Sequence, residues 1–224
     1  MDSQIENQLE RAIALSAQHQ GINFSSHAEA QRHLAKTKAE IHQAFLHCNA
    51  AMQEGLKYFK EMDCGYVSAI SAKLLKSMRS SKKLSRLIEQ EILTGDGAIE
   101  PFIEALNTFY EREDVQIVQN ALTVLLRLFP LHPQPYIYLG TLIWRNDGIA
   151  AADLFYSKIV AAIEDPALDY FAAECFYKNG NKNGAKELLL RAMHNTTASP
   201  DMYRDIRPLI IKLLEQCLCQ SAAR

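Results

Sequence analysis

Two stretches in the second half of the chain resemble each other at a constant spacing of 33 residues, and this repetition constrains the fold more than any other feature. The residue types at matched positions are similar. The pairs are Pro133 with Pro166, Leu139 with Ala172, Gly140 with Ala173, Ala152 with Ala185, and Tyr156 with Leu189. Self-similarity at a period of this length indicates stacked helical hairpins. The sequence therefore predicts an all-α fold.

A third, weaker copy precedes these two stretches by the same interval. It contains Leu106 and runs through Phe109, Ala121 and Leu125 to Pro130. The period, the small residues where two helices would cross, and the proline between copies match the tetratricopeptide layout of about 34 residues. We therefore predict three tetratricopeptide-like helical hairpins over residues 97–197, stacked as a superhelix.

The first hundred residues contain none of the seven prolines and form a different region, which we predict to be an N-terminal helical extension over residues 1–96. Apolar residues recur at helical spacing from Leu34 to Phe59, which predicts a long amphipathic helix from Ser26 to about Met62. Ser26 and Glu29 have the form of a capping box. A further helix is predicted from about Val67 to Leu93.

The apolar stripe of the long helix needs a partner surface. We expect it to pack inside the same chain, and dimerisation through the N-terminal helices is the alternative. At the other end, Ser199, Pro200 and Asp201 combine an N-cap hydroxyl, a proline at the first helical position and an early carboxylate. This pattern predicts a capping helix over residues 198–224.

Charge and hydropathy limit the partners. The chain has 24 Lys and Arg against 26 Asp and Glu, so no overall positive field attracts nucleic acid. A basic stretch from Lys73 to Arg86 is interpreted as a solvated helix face, with RNA binding as the competing hypothesis. The sequence shows no leader and no long apolar run, which predicts a cytoplasmic protein that does not insert into membranes.

Motifs for catalysis, metals and cofactors are not found. The seven histidines and five cysteines lack zinc-ligand spacing, and the glycines between residues 95 and 97 do not form a phosphate-binding loop. No serine nucleophile motif occurs. We therefore predict no enzyme activity, no metal and no cofactor.

The remaining candidate site is the concave face of the hairpins, which the first helix of each repeat would line. By register, the inward positions mix aromatic and aliphatic side chains with one carboxylate, a composition suited to gripping an extended peptide. They are Leu106, Tyr110, Ile137, Thr141, Trp144, Tyr170, Glu174 and Tyr177.

One family shares part of this pattern. The run Ala172, Ala173, Glu174 and Cys175 with its following glycines, preceded by the segment from Tyr138 to Gly140, resembles the SycD/LcrH group of tetratricopeptide chaperones of bacterial type III secretion. The resemblance covers about residues 105–192. It implies a cytosolic bacterial chaperone that keeps secreted hydrophobic translocator proteins soluble by binding an extended segment in the concave groove. A general tetratricopeptide scaffold, or a cytosolic component of a secretion assembly, is the alternative.

Overall fold

The computed structural model describes residues 13, 17, 27–62, 64–78, 80–90, 99–111 and 114–219. Their regular structure is helical and includes no strand, which confirms the predicted all-α class. The chain divides into two compact units, residues 1–53 and 54–224, and each is described by itself. The predicted domain boundary at residues 96 and 97 lies outside the described residues and stays a prediction.

Ten helices make up the described part of the chain. They are α1 (His27–Glu61), α2 (Gly65–Ser77), α3 (Ser81–Ile88), α4 (Glu100–Glu111), α5 (Val115–Leu128), α6 (Pro133–Asp147), α7 (Ile149–Ile159), α8 (Pro166–Lys178), α9 (Lys182–Ala198) and α10 (Arg207–Cys219).

The long amphipathic helix is present as α1 and ends within one residue of the predicted position. Its predicted N-cap, Ser26, lies outside the described residues. In the first unit, Ile41 and Phe45 of the apolar stripe are 40% and 50% exposed. Dimerisation through this part of the helix stays a prediction.

The predicted single helix from Val67 to Leu93 is wrong within the described residues, because two helices, α2 and α3, replace it. The break falls at Ser80, whose hydroxyl accepts a hydrogen bond from the backbone N–H of Lys83 at 3.4 Å. Serine competes with helical hydrogen bonding inside a helix and is favoured at N-caps, so it starts α3 here. The described basic residues Lys73, Lys76, Lys83 and Arg86 are exposed on the two helices.

In the second unit, α4 to α9 form three consecutive antiparallel hairpins, α4 with α5, α6 with α7, and α8 with α9. Each hairpin also contacts the next, since α5 packs on α6, α7 packs on α8, and α6 packs on α8. Gly148 and Gly180, at the second and third hairpin turns, have φ angles of +90° and +89°. Glycine adopts such angles without steric cost. The superhelical arrangement of tetratricopeptide type remains a prediction.

The C-terminal part of α1 packs on the first hairpin. The ring of Phe59 lies 5.1 Å from that of Phe102 and 5.6 Å from that of Phe109, measured between centroids. Gly55 permits a close approach of α1 to α5, because a Cβ there would lie 2.4 Å from the backbone oxygen of Asn120. In this unit, therefore, the apolar stripe packs inside the chain as expected.

The capping helix begins later than predicted, at Arg207 rather than at Pro200. A helix running from Pro200 to Cys219 would carry Pro208 in its interior, where proline removes a hydrogen bond and clashes with the preceding turn. Starting at Arg207 places Pro208 in the first turn, where its missing N–H is harmless. The helix buries Ile210, Leu213 and Cys217 against α8 and α9.

Candidate functional site

A cavity of about 530 Å³ opens in the second unit beside the first helices of the three hairpins. Its walls come from α4, α6, the start of α8 and the segment between α9 and α10, and most of the exposed lining is apolar. The lining residues are Tyr110, His132, Pro133, Gln134, Ile137, Tyr138, Thr141, Asp165, Ala167, Phe171, Met202 and Tyr203. Its size falls in the range of sites that bind a compact ligand or a peptide side chain cluster.

The 33-residue repeat explains why these side chains meet. Tyr138 and Phe171 occupy equivalent positions on α6 and α8, and His132 and Asp165 are equivalent residues immediately before the prolines that open these helices. Because α6 contacts α8 side by side, equivalent positions of successive hairpins face the same side. Part of the cavity wall on α6 and α8 is thus formed by register positions that the repeat places together.

Four of the twelve lining residues are tyrosine or phenylalanine, and the tyrosine hydroxyl groups are already engaged. The Tyr110 and Tyr138 rings lie 5.2 Å apart between centroids, the Tyr110 hydroxyl donates to the Tyr138 backbone oxygen, and the Tyr138 hydroxyl donates to Asn107 Oδ1. Burial raises the pKa of Tyr110 to about 12. The Thr141 hydroxyl donates to the Ile137 backbone oxygen at 2.9 Å. A ligand therefore meets a mainly apolar surface here.

Two polar side chains at the cavity hold the starts of helices. Asp165 Oδ1 accepts hydrogen bonds from the backbone N–H groups of Ala167 and Leu168, both at 2.9 Å, and its Oδ2 accepts the Tyr203 hydroxyl at 3.2 Å. His132 Nδ1 accepts the Gln134 backbone N–H at 3.3 Å. In this arrangement the neutral imidazole carries its proton on Nε2.

The free energy of unfolding should decrease between pH 8 and pH 5. We expect this decrease to be smaller in His132→Asn than in the native protein. Burial lowers the pKa of His132, so the unfolded chain takes up the proton first as the pH drops below about 6.5, and folding becomes less favourable. Asparagine keeps an N-cap acceptor but does not titrate. Urea unfolding at both pH values measures the difference, and identical slopes in the two proteins would contradict it.

A smaller cleft of about 220 Å³ lies between α8 and α10. Tyr170, Glu174 and Tyr177 line its α8 side, and Lys212 and Leu213 lie on the α10 side. Glu174 forms an ion pair of 2.8 Å with Lys178, whose Nζ also sits 4.7 Å from the centroid of the Trp144 ring. Glu174 and Lys178 therefore already have partners within the chain.

The eight predicted site residues therefore do not form one surface, but are divided between the cavity, the smaller cleft and the packed interior. Tyr110, Ile137 and Thr141 line the cavity, while Tyr170, Glu174 and Tyr177 line the smaller cleft. Trp144 is half-buried under Lys178 and packs against the core. Leu106 is fully buried, so its place on a binding surface is wrong and it belongs to the core of the first hairpin. Helical spacing alone does not separate the buried face of α4 from its accessible face.

Sequence reasoning missed most of the cavity wall. Tyr138 and Phe171 were recognisable as an aromatic pair at the repeat spacing, and so were His132 and Asp165 as polar residues before the repeated prolines. Met202 lines the cavity and is 78% exposed, but it falls in a segment that the sequence predicts to be helix. No local pattern marks that segment as part of a cavity wall.

The fold and cavity define an all-α protein of consecutive helical hairpins with an aromatic, largely apolar cavity. The chain matches no protein-family model, no curated protein and no solved structure. Across the residues that the structure describes, no three His, Cys, Asp or Glu side chains are grouped so as to hold a metal ion. In the same residues no helix combines the length and apolar character needed to cross a membrane.

Proposed function

We propose that this protein is a chaperone that binds an extended segment of a partner protein in the cavity between Tyr110 and Tyr203. The observation that carries the proposal is the wall itself, since four aromatic residues from three successive hairpins and the following segment line one opening. Aromatic side chains in a concave apolar site are the usual anchors of peptide recognition. The engaged hydroxyl groups leave these rings to act mainly through apolar contact.

The partner class follows from the same surface. An apolar wall suits a segment that would otherwise expose apolar side chains to water, and covering such a segment prevents aggregation. We propose secreted hydrophobic translocator proteins as this partner, in keeping with the resemblance to the type III secretion chaperones. The cavity is open to solvent, so it suits a client that must later be released.

Thr141→Arg is expected to weaken client binding at least about tenfold while leaving the fold intact. Thr141 is exposed on α6 and lines the cavity, so a long side chain there fills space that the client needs. Arginine is also a good helix former. The measurement is co-expression with candidate translocators, followed by quantification of the soluble and co-purified client.

Thr123→Arg is the matched control. The Thr123 hydroxyl donates to the backbone oxygen four residues earlier at 2.9 Å, as the Thr141 hydroxyl does, but Thr123 lies on α5 and away from the cavity wall. Thr123→Arg should retain the client. If both variants retain it, or no translocator becomes more soluble with the native protein, the proposed function fails. A client that resists proteolysis in the complex would instead indicate a scaffold for folded partners.

A further inference from the structure

The cavity has an uneven charge distribution. Among the described residues that line it, Asp165 is the one aspartate or glutamate, and neither lysine nor arginine is present. His132 does not supply a balancing positive charge, because burial lowers its pKa even though Glu100 and Asp165 act in the opposite direction. Glu100 acts on the same imidazole, so this end of the cavity has a negative neighbour. At the α4 side a positive charge lies nearby, because Arg145 acts to lower the pKa of Tyr110, although it does not line the cavity.

Asp165 also has unused capacity to bind a donor. Its oxygens accept two backbone N–H groups and one tyrosine hydroxyl, whereas a carboxylate offers about four acceptor positions. It forms no ion pair with any residue that the structure describes. The N-terminus of α8 offsets part of its charge, as at any acidic N-cap, but this partial charge is smaller than that of the carboxylate.

Aromatic rings beside a carboxylate recognise cations in two ways. The carboxylate attracts the charge directly, and the faces of tyrosine and phenylalanine attract it through their quadrupoles. The Tyr203 hydroxyl contacts Asp165, and Tyr110, Tyr138 and Phe171 line the same cavity. An acidic ligand would instead meet repulsion and lose its hydration without compensation.

We infer that the cavity selects extended peptide segments in which a lysine or arginine stands among apolar residues, with the basic side chain directed to Asp165. This inference rests on the proposed function and specifies the chemistry of its client. The apolar residues would contact the aromatic wall, and the basic side chain would donate a hydrogen bond to the remaining acceptor position of the Asp165 carboxylate. Acidic segments of equal hydrophobicity would be rejected.

The test uses the full-length protein and three pools of fluorescein-labelled dodecapeptides. Each pool has random apolar residues flanking one fixed central residue, which is Lys, Gln or Glu. Fluorescence anisotropy should show the Lys pool binding about fivefold more tightly than the Gln pool, with the Glu pool weakest. The preference should shrink at high ionic strength, because salt screens a partly exposed charge pair.

Asp165→Asn removes the negative charge but keeps the N-cap of α8, since asparagine is an equally good N-cap. It should reduce the preference between the Lys and Gln pools to less than about twofold. Asp114→Asn is the matched control, because Asp114 caps α5 through the Ile117 N–H at 3.0 Å and does not line the cavity. This control should retain the native preference.

Three results would overturn the inference: equal binding of the Lys and Glu pools, an undiminished preference in Asp165→Asn, or no binding of any pool. Retention of a co-expressed client in those cases would leave the proposed function standing and remove only the charge selection. Failure of every co-expressed client to bind would remove the function itself.

Discussion

Gly140→Ala is expected to lower the free energy of unfolding by about 1–3 kcal/mol, although alanine is the better helix former. A Cβ at position 140 would lie 2.2 Å from Cζ of Tyr156 and 2.3 Å from its hydroxyl oxygen. The Tyr156 side chain is almost fully buried, and its hydroxyl donates to the Ile137 backbone oxygen at 3.3 Å. It therefore cannot move aside without disturbing the second hairpin.

The third hairpin provides the compensating change. At the repeat spacing, Gly140 and Tyr156 correspond to Ala173 and Leu189, and both of these residues are fully buried. We expect Gly140→Ala with Tyr156→Leu to be more stable than the sum of the two single changes predicts, with a coupling energy of about 1–3 kcal/mol. The smaller leucine removes the atoms that collide with the new methyl group.

Urea unfolding of the four proteins in this double-mutant cycle measures the coupling. Gly65→Ala is the control, because a Cβ there would have no heavy atom within 4 Å and the residue lies at the start of α2. It should be neutral or slightly stabilising. If the effects of the two changes are additive, positions 140 and 156 are not energetically coupled, and the proposed collision between the new methyl group and Tyr156 is wrong.

Arg191→Met is expected to cost about 3–5 kcal/mol of unfolding free energy. Arg191 forms a two-pronged contact with Asp169, with Nε donating to Oδ2 at 2.8 Å and Nη2 to Oδ1, and Nη2 also donates to the Val160 backbone oxygen at 2.9 Å. The contact joins α9 to the start of α8 and to the end of α7. Without Arg191, the carboxylate of Asp169 stays buried with no cation.

Replacing Asp169 and replacing Arg191 should not cost the same unfolding free energy. The Asp169 side chain is fully buried, whereas that of Arg191 is 32% exposed and can be hydrated by water when its partner is removed. Asp169→Leu is therefore expected to destabilise less than Arg191→Met. The double change Asp169→Leu with Arg191→Met should recover most of the loss, because an apolar pair needs no desolvation of charge.

The penalty of Arg191→Met should also depend on pH. Burial raises the pKa of Asp169, and the hydrogen bond and charge of Arg191 oppose this rise. With Arg191 removed, the Asp169 carboxyl has a higher pKa in the folded protein than in the unfolded chain. The folded state then binds the proton more readily, so the loss of unfolding free energy is smaller at low pH and grows as the pH increases. Unfolding free energies measured at pH 4 and pH 7 should differ in that direction, and a constant penalty would contradict the role of the buried charge.

Individual residues show how far sequence reasoning reached. The match of Gly140 with Ala173 correctly marked a close helix crossing, because small residues at a fixed period have few other uses. Pro208 shows where the reasoning failed, since the favourable start at Pro200 was weighed without the break that a proline inside the helix would cause. Leu106 shows a second failure, because its helical register fits a buried and an accessible position equally well.

The sequence by itself determined the helical class, the three hairpins and their spacing, because periodicity, turn glycines and prolines act within one repeat or between neighbours. Only the tertiary structure decided which side chains form the cavity. Asp165 and Tyr203 stand 38 residues apart, and they meet because the chain after α9 returns to the start of α8. Such contacts depend on the angle and depth at which helices pack, which the side chains of several elements fix together.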